Sequence, residues 1–113
     1  MNAARLRRSV DIAAVRSAGR TVRDASFTAR ARPNELEVVR LAVSAPRTVG
    51  PSVLRNRARR RVREAFRTAL AAFEGEHGVD LVITARKEAI SADFSALRAA
   101  ATTVLRTVSA PPR

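Results

Sequence analysis

Apolar and polar positions change their spacing repeatedly along this chain, and each change marks an element. Leu6, Val10, Ala13 or Ala14 and Val15 recur at three- and four-residue steps, with Gly19 just beyond, which predicts a short helix over 5–18. From Arg20 to Arg32 the pattern turns to alternation: Val22, Ala25, Phe27, Ala29 and Ala31 stand between polar neighbours, as on a half-exposed strand. Pro33-Asn34 reads as a turn, and Glu37 to Ser44 (EVVRLAVS) as a second, β-branched strand. Pro46, Gly50 and Pro51 then make a loop.

Residues 52–74 carry the strongest helical pattern. Leu54, Ala58, Val62, Ala65, Phe66, Ala69, Leu70 and Phe73 form one apolar stripe, and Gly75 and Gly78 follow it. Val79 to Ala85 (VDLVITA) reads as a short buried strand. Ser91 is the expected N-cap of a last helix, with Asp93 in its first turn and a stripe of Phe94, Leu97, Ala101, Val104, Leu105 and Val108. This order predicts an α+β fold, a small sheet covered by helices in a two-layer sandwich. A length of 113 residues fits one domain spanning 1–113, with 109–113 as a frayed tail after the last helix.

Charge changes the picture from fold to partner. The formal net charge is +12, and 21 of the 22 basic residues are Arg, Lys87 being the exception. Self-repulsion at this density opposes folding, and a polyanion relieves it. The planar guanidinium suits phosphate oxygens and base stacking, so nucleic acid fits better than an acidic protein. The chain contains no Cys, which excludes disulfides and thiol chemistry, and its one His, His77, cannot build a His-based metal site. No apolar run approaches the ~20 residues of a membrane span, and no signal-peptide core follows the basic N-terminus; the expected location is the cytoplasm. Four Phe, with no Tyr or Trp, argue against a surface built mainly on base stacking.

Half of the net charge lies within 13 residues. Between Arg55 and Arg67 there are seven Arg and one acid, Glu64. On a helix at ~100° per residue, Asn56, Arg60, Arg63 and Arg67 share a face roughly opposite the apolar stripe. Arg55 and Arg59 lie beside the stripe, and Arg57 and Arg61 on the other flank. Like charges at Arg55, Arg59, Arg63 and Arg67 repel at i,i+4, so the stripe's packing must hold the helix. A solvated basic face without a ligand is the bland alternative, and a membrane-surface or calmodulin-target helix is disfavoured because the Ala-rich stripe is needed for the core. Two further readings stay open from the residues alone: a basic structural ribosomal or RNA-assembly protein, and a DNA-binding protein whose Arg-rich helix enters the major groove.

The run from Val49 through Gly50, Arg55-Asn56-Arg57 and on to Arg67 resembles the signature of the protein subunit of bacterial ribonuclease P. The likeness extends over Leu6 to Gly19, the Phe27 strand, Val38 to Ser44 and Leu81 to Lys87. It implies an α-β-β-β-α-β-α order with a left-handed βαβ crossover, where the general rule expects a right-handed one. It also implies a monomeric accessory subunit, one per RNA, that binds ribonuclease P RNA and helps it remove 5′ leaders from precursor tRNA. Arg47, Arg55, Asn56, Arg57, Arg59, Arg60, Arg61, Arg63 and Arg67 would face the RNA subunit. A cleft between the Arg-rich helix and the sheet would hold the leader, lined by Ile12, Arg16, Phe27, Arg30, Arg86 and Lys87.

Some positions depart from the family pattern. Pro46-Arg47-Thr48 stands where a Ser/Thr-Lys-Lys step is usual, and Ile12, Arg16 and Arg30 stand where cleft aromatics are common, leaving charge and Arg stacking to hold the leader. Protein-based phosphodiester hydrolysis needs clustered carboxylates or a His/Lys pair. The ten acids form no recognisable metal motif, Glu64 has Arg60 and Arg67 within helical reach, and His77 sits in an exposed-looking Glu-Gly-Glu-His-Gly turn. The expectation is therefore no catalytic residue and no metal ligand in the chain, with Mg²⁺ organised mainly by RNA.

Overall fold

The computed structural model describes residues 3–36, 38–73 and 78–109. Residues 1–2, Glu37, Glu74 to His77 and 110–113 lie outside them, and with them the expectations for His77 and for the tail beyond Ser109, which itself ends the last helix. The elements run β1 (Ala3–Arg5), α1 (Ser9–Ala18), β2 (Arg20–Arg23), β3 (Phe27–Pro33), β4 (Val39–Ser44), α2 (Ser52–Ala71), β5 (Val79–Ala85) and α3 (Phe94–Ser109). Single 3₁₀ turns at Arg47–Val49 and Lys87–Ile90 lead into α2 and α3. The sheet order is β1-β4-β5-β3-β2, with β1–β4 and β4–β5 parallel and β5–β3 and β3–β2 antiparallel. The fold is α+β, and α2 is the crossover between the parallel strands β4 and β5.

Four boundaries differ from the sequence reading. The long helix ends at Ala71, short of the expected 74, and leaves Phe73 beyond its last turn. Residues 3–5 form an edge strand instead of opening the first helix, because the backbone there pairs with β4, continued by Leu6 N–H donating to the Leu41 carbonyl at 2.8 Å. The expected single strand over 20–32 is two, turned back at Asp24, whose carboxylate accepts the Ser26 amide at 2.9 Å. Asp93, not Ser91, heads α3. Its carboxylate accepts from the Ser95 hydroxyl and from the Ser95 and Ala96 amides, which holds it below the usual aspartate range.

Strand pleating gives the sheet two different faces. Phe27, Ala29 and Ala31 of β3, Val39, Leu41 and Val43 of β4, and Leu81 and Ile83 of β5 pack against α2 and α3 in the main core. The α2 stripe supplies Ala58, Val62, Ala65, Phe66 and Leu70, and the Phe27 and Phe66 rings meet edge to face at 5.3 Å. On the opposite face Val82 packs with Leu6 and Val15, with Ile12 and Ala42 beside them, so α1 covers part of that side. The close turn after α1 requires Gly19, where a Cβ would stand 2.3 Å from the Val15 carbonyl oxygen.

Candidate nucleic-acid interface

The loop that launches α2 is tight. Gly50 takes φ 139°, a conformation that favours glycine, and Val49 is buried beneath it. This geometry leaves Arg47 exposed and fixes the register of the Arg-rich helix over the sheet.

The arginines of α2 separate into tethered and free groups. Arg55 is half-buried and donates from Nε to the Ala45 carbonyl at 2.9 Å, tying the helix to the end of β4. Arg61 donates from Nε to the Ala89 carbonyl at 2.9 Å and from Nη2 to Ala92, tying it to the turn before α3. Arg67 forks onto Glu64, one of the two partners the helix spacing offers, and that pairing holds the Glu64 carboxyl below its ordinary range. Asn56 is exposed and accepts from Arg59, so it caps no helix end. Arg63 is half-buried, and burial followed by the neighbouring charges of Arg5 and Arg59 pulls its pKa down. That leaves Arg57 and Arg60 exposed, with no carboxylate partner among the described residues. These two are the α2 cations most available to a polyanion, and Arg47 is exposed in the loop before the helix.

The expected cleft between α2 and the sheet does not exist. That interface is the sealed core, because the apolar stripe docks against β3, β4 and β5 without a gap for a strand of RNA. The open groove lies on the other face, beside α1. One stretch is lined by Arg16, Thr28, Arg30, Val82 and Thr84. A second, of about 550 Å³, continues past the ends of β3 and β5 to Pro46 and Thr48 of the loop before α2, is lined also by Arg86, Lys87 and Glu88, and shares Thr28 and Thr84 with the first.

The groove therefore brings together four of the six expected cleft residues: Arg16, Arg30, Arg86 and Lys87. Phe27 is excluded, since strand alternation turns it to the opposite face, where it is 0% exposed. Ile12 is half-buried in the small cluster under α1 and serves packing there. Arg30 also supports the fold, because its Nη1 donates to the Arg16 carbonyl in the last turn of α1 and fastens that helix end to β3. Glu88 sets a carboxylate 3.7 Å from Arg86.

Sequence reasoning missed the network that holds this face together. Asp80, 7% exposed, accepts from Arg40 Nε at 2.7 Å and Nη2 at 2.6 Å, and from Asn34 Nδ2 at 2.9 Å. Arg40 also lies 3.6 Å from Asp11 of α1, and these carboxylates raise its pKa further, the Asp80 hydrogen bond most. The only sequence trace was two charges, Arg40 and Asp80, inside otherwise apolar strands. The carboxylates are thereby committed to arginine, and among the described residues no three His, Cys, Asp or Glu side chains gather as a metal site. They do not fit a protein-held Mg²⁺.

Comparison with known proteins decides between the RNA, DNA and ribosomal readings. A sequence profile of the family Ribonuclease P matches residues 1–109. The chain belongs to the ribonuclease P protein family. It is similar to the ribonuclease P protein component of Chloroflexus aggregans, 42% identical over 90% of this chain and 75% of that one. The component from Clostridium kluyveri is 34% identical over 77% of this chain and 78% of its own length. Among solved structures, the ribonuclease P protein of Thermotoga maritima superposes with a TM-score of 0.73 at 28% identity, covering 93% of this chain and 94% of that one. The Staphylococcus aureus protein shares the fold, with a TM-score of 0.74 at 24% identity over 94% and 97% of the two chains. As a ribonuclease P protein component, the chain is the accessory subunit of an enzyme of tRNA 5′ processing and associates with that enzyme's RNA.

Proposed function

We propose that the two basic surfaces divide the work of a ribonuclease P subunit between them. The α2 side, through Arg57 and Arg60 and with Arg47 in the loop that precedes the helix, binds the phosphate backbone of ribonuclease P RNA. The α1-side groove, through Arg16, Arg30, Arg86 and Lys87, holds the single-stranded 5′ leader of precursor tRNA. The observation that carries this reading is their placement: exposed, unpaired cations on one side of a sealed core, and an open cation-lined groove on the other. The groove has no exposed aromatic ring among its lining residues, so it grips a leader by charge and by guanidinium stacking.

In this reading the protein acts as a monomer, one per RNA, in the cytoplasm. It supplies no acid, base or nucleophile to the cleaved bond. Hydrolysis is left to the RNA and to the Mg²⁺ that the RNA would hold; the protein's part is to position substrate and neutralise phosphate repulsion. The test is processing of a precursor tRNA by a bacterial ribonuclease P RNA at low Mg²⁺. Added protein is expected to restore leader removal that the RNA alone loses. Equal processing with and without the protein would overturn the reading.

A further inference from the structure

A third feature belongs neither to the groove nor to the sealed core. An open pocket of about 270 Å³ lies between the first half of α2 and the start of α3, lined by Arg57, Arg60, Arg61, Glu64 and Phe94. It is smaller than the roughly 300–1,000 Å³ of sites that engulf a drug-sized ligand, which suits one flat ring entering from outside. Phe27 and Phe66 are fully buried, whereas the Phe94 ring packs on the core with one side and reaches this pocket with the other.

The walls are set before anything binds. Arg61 is pinned by the carbonyls of Ala89 and Ala92. The two nearby acids are both engaged, Glu64 with Arg67 and Asp93 with the amides and hydroxyl at the head of α3. Neither is free to neutralise Arg57 or Arg60, whose guanidinium groups stand at the rim. An aromatic ring beside two unpaired guanidinium groups matches a nucleotide, whose base is flat and apolar and whose flanking phosphates are anionic. An acidic peptide would satisfy the cations and leave the ring unused.

Resting on the RNA-binding reading above, we propose that this pocket takes one unstacked base of ribonuclease P RNA, stacked on Phe94, while Arg57 and Arg60 hold the phosphates on either side of it. The low aromatic content argues against a surface of many stacked bases; it leaves room for one.

The chain contains no Trp and no Tyr, so Phe94→Trp installs a sole indole at the proposed stacking position. Binding of wild type, Phe94→Trp and Phe94→Leu to a bacterial ribonuclease P RNA should be measured at one salt concentration, with a urea titration of each variant. The expected order is Trp at least equal to Phe, and Leu about fivefold weaker, the low end of what one stacked base contributes. The indole emission is expected to be quenched as RNA saturates the protein. Equal affinity of Phe94→Leu and wild type, or unchanged indole emission at saturation, overturns the inference and leaves the RNA-binding reading standing. Should Phe94→Leu fail to fold, the emission result still decides. Wild type that does not bind the RNA at all overturns both.

Discussion

The two faces of the central sheet are made from alternate residues of the same strands and have opposite characters. On the α2 and α3 side, β3 presents Phe27, Ala29 and Ala31, all buried; on the α1 side it presents Thr28 and Arg30, which are open to solvent in part. One side is dry, continuous and filled by two long amphipathic helices. The other is covered only where a ten-residue helix lies across it, and what it lacks in apolar contact is supplied by Arg40, Asp80, Asp11 and Asn34. Strand pleating thus separates the apolar core from the open, cation-lined face, and the cations of the open face need no apolar burial to stay in place.

That contrast can be broken most forcefully from the sealed side. Phe66→Ala removes a fully buried ring that also meets Phe27, and is expected to cost roughly 3–5 kcal/mol of unfolding free energy in a urea titration. On the open side Arg40→Ala leaves Asp80 enclosed without its cationic partner, with only the Asn34 amide still donating to it. The expected cost is about 2–3 kcal/mol, below the full penalty for a buried pair because Arg40 is partly exposed. Cleavage assays of that variant should also show weaker preference for precursor over mature tRNA, since Arg40 links α1 to the groove floor.

The tethered and free arginines of α2 sharpen the comparison further. Arg55→Ala should lower stability by about 1 kcal/mol, the worth of one hydrogen bond to a backbone carbonyl. Arg57→Ala should leave stability within about 0.5 kcal/mol while lowering the slope of log affinity against log salt by about 0.7–0.9. A stability loss in Arg57→Ala equal to that in Arg55→Ala would erase the distinction between the two groups.

The smallest effect is a pH dependence at the head of α3. Asp93 is held below its ordinary pKa in the folded chain, so its stabilisation is present above the unfolded value and fades as pH falls through the lowered folded one. Asn caps a helix about as well as Asp but does not titrate. Helix α3 should therefore keep its stability in Asp93→Asn at neutral pH, and the variant should lose this part of the acid sensitivity in parallel pH titrations.

The long helix was legible in the sequence except at its end, because seven apolar positions from Leu54 to Leu70 at helical spacing leave one arrangement that buries them, while Phe73 packs on the core from beyond the last turn. So was β5, whose observed limits match its apolar run. The edge strand Ala3–Arg5 was not, since three residues are too few to show alternation and pairing with β4 alone defines it. The family resemblance put Phe27 and Arg30 in one cleft, but alternation along β3 sets them on opposite faces, and the strand geometry prevails. The groove's true position was hidden because periodicity states which side of a helix is apolar, not which side of a sheet it covers. The split among the α2 arginines was equally hidden, as it depends on carbonyls of Ala45, Ala89 and Ala92 that lie far along the chain.

The central claim is that the two basic surfaces act separately, and one crossed comparison tests it directly. Affinities of wild type, Arg57→Ala/Arg60→Ala and Arg16→Ala/Lys87→Ala are measured for ribonuclease P RNA, and the affinities of the assembled enzymes for precursor and mature tRNA, all at one salt concentration. The α2 pair should weaken RNA binding and leave the ratio of precursor to mature affinity unchanged in the assembled enzyme. The groove pair should leave RNA binding nearly unchanged and lower that ratio. If both pairs weaken the same quantity to the same extent, the cations form one undivided electrostatic surface and the account is wrong.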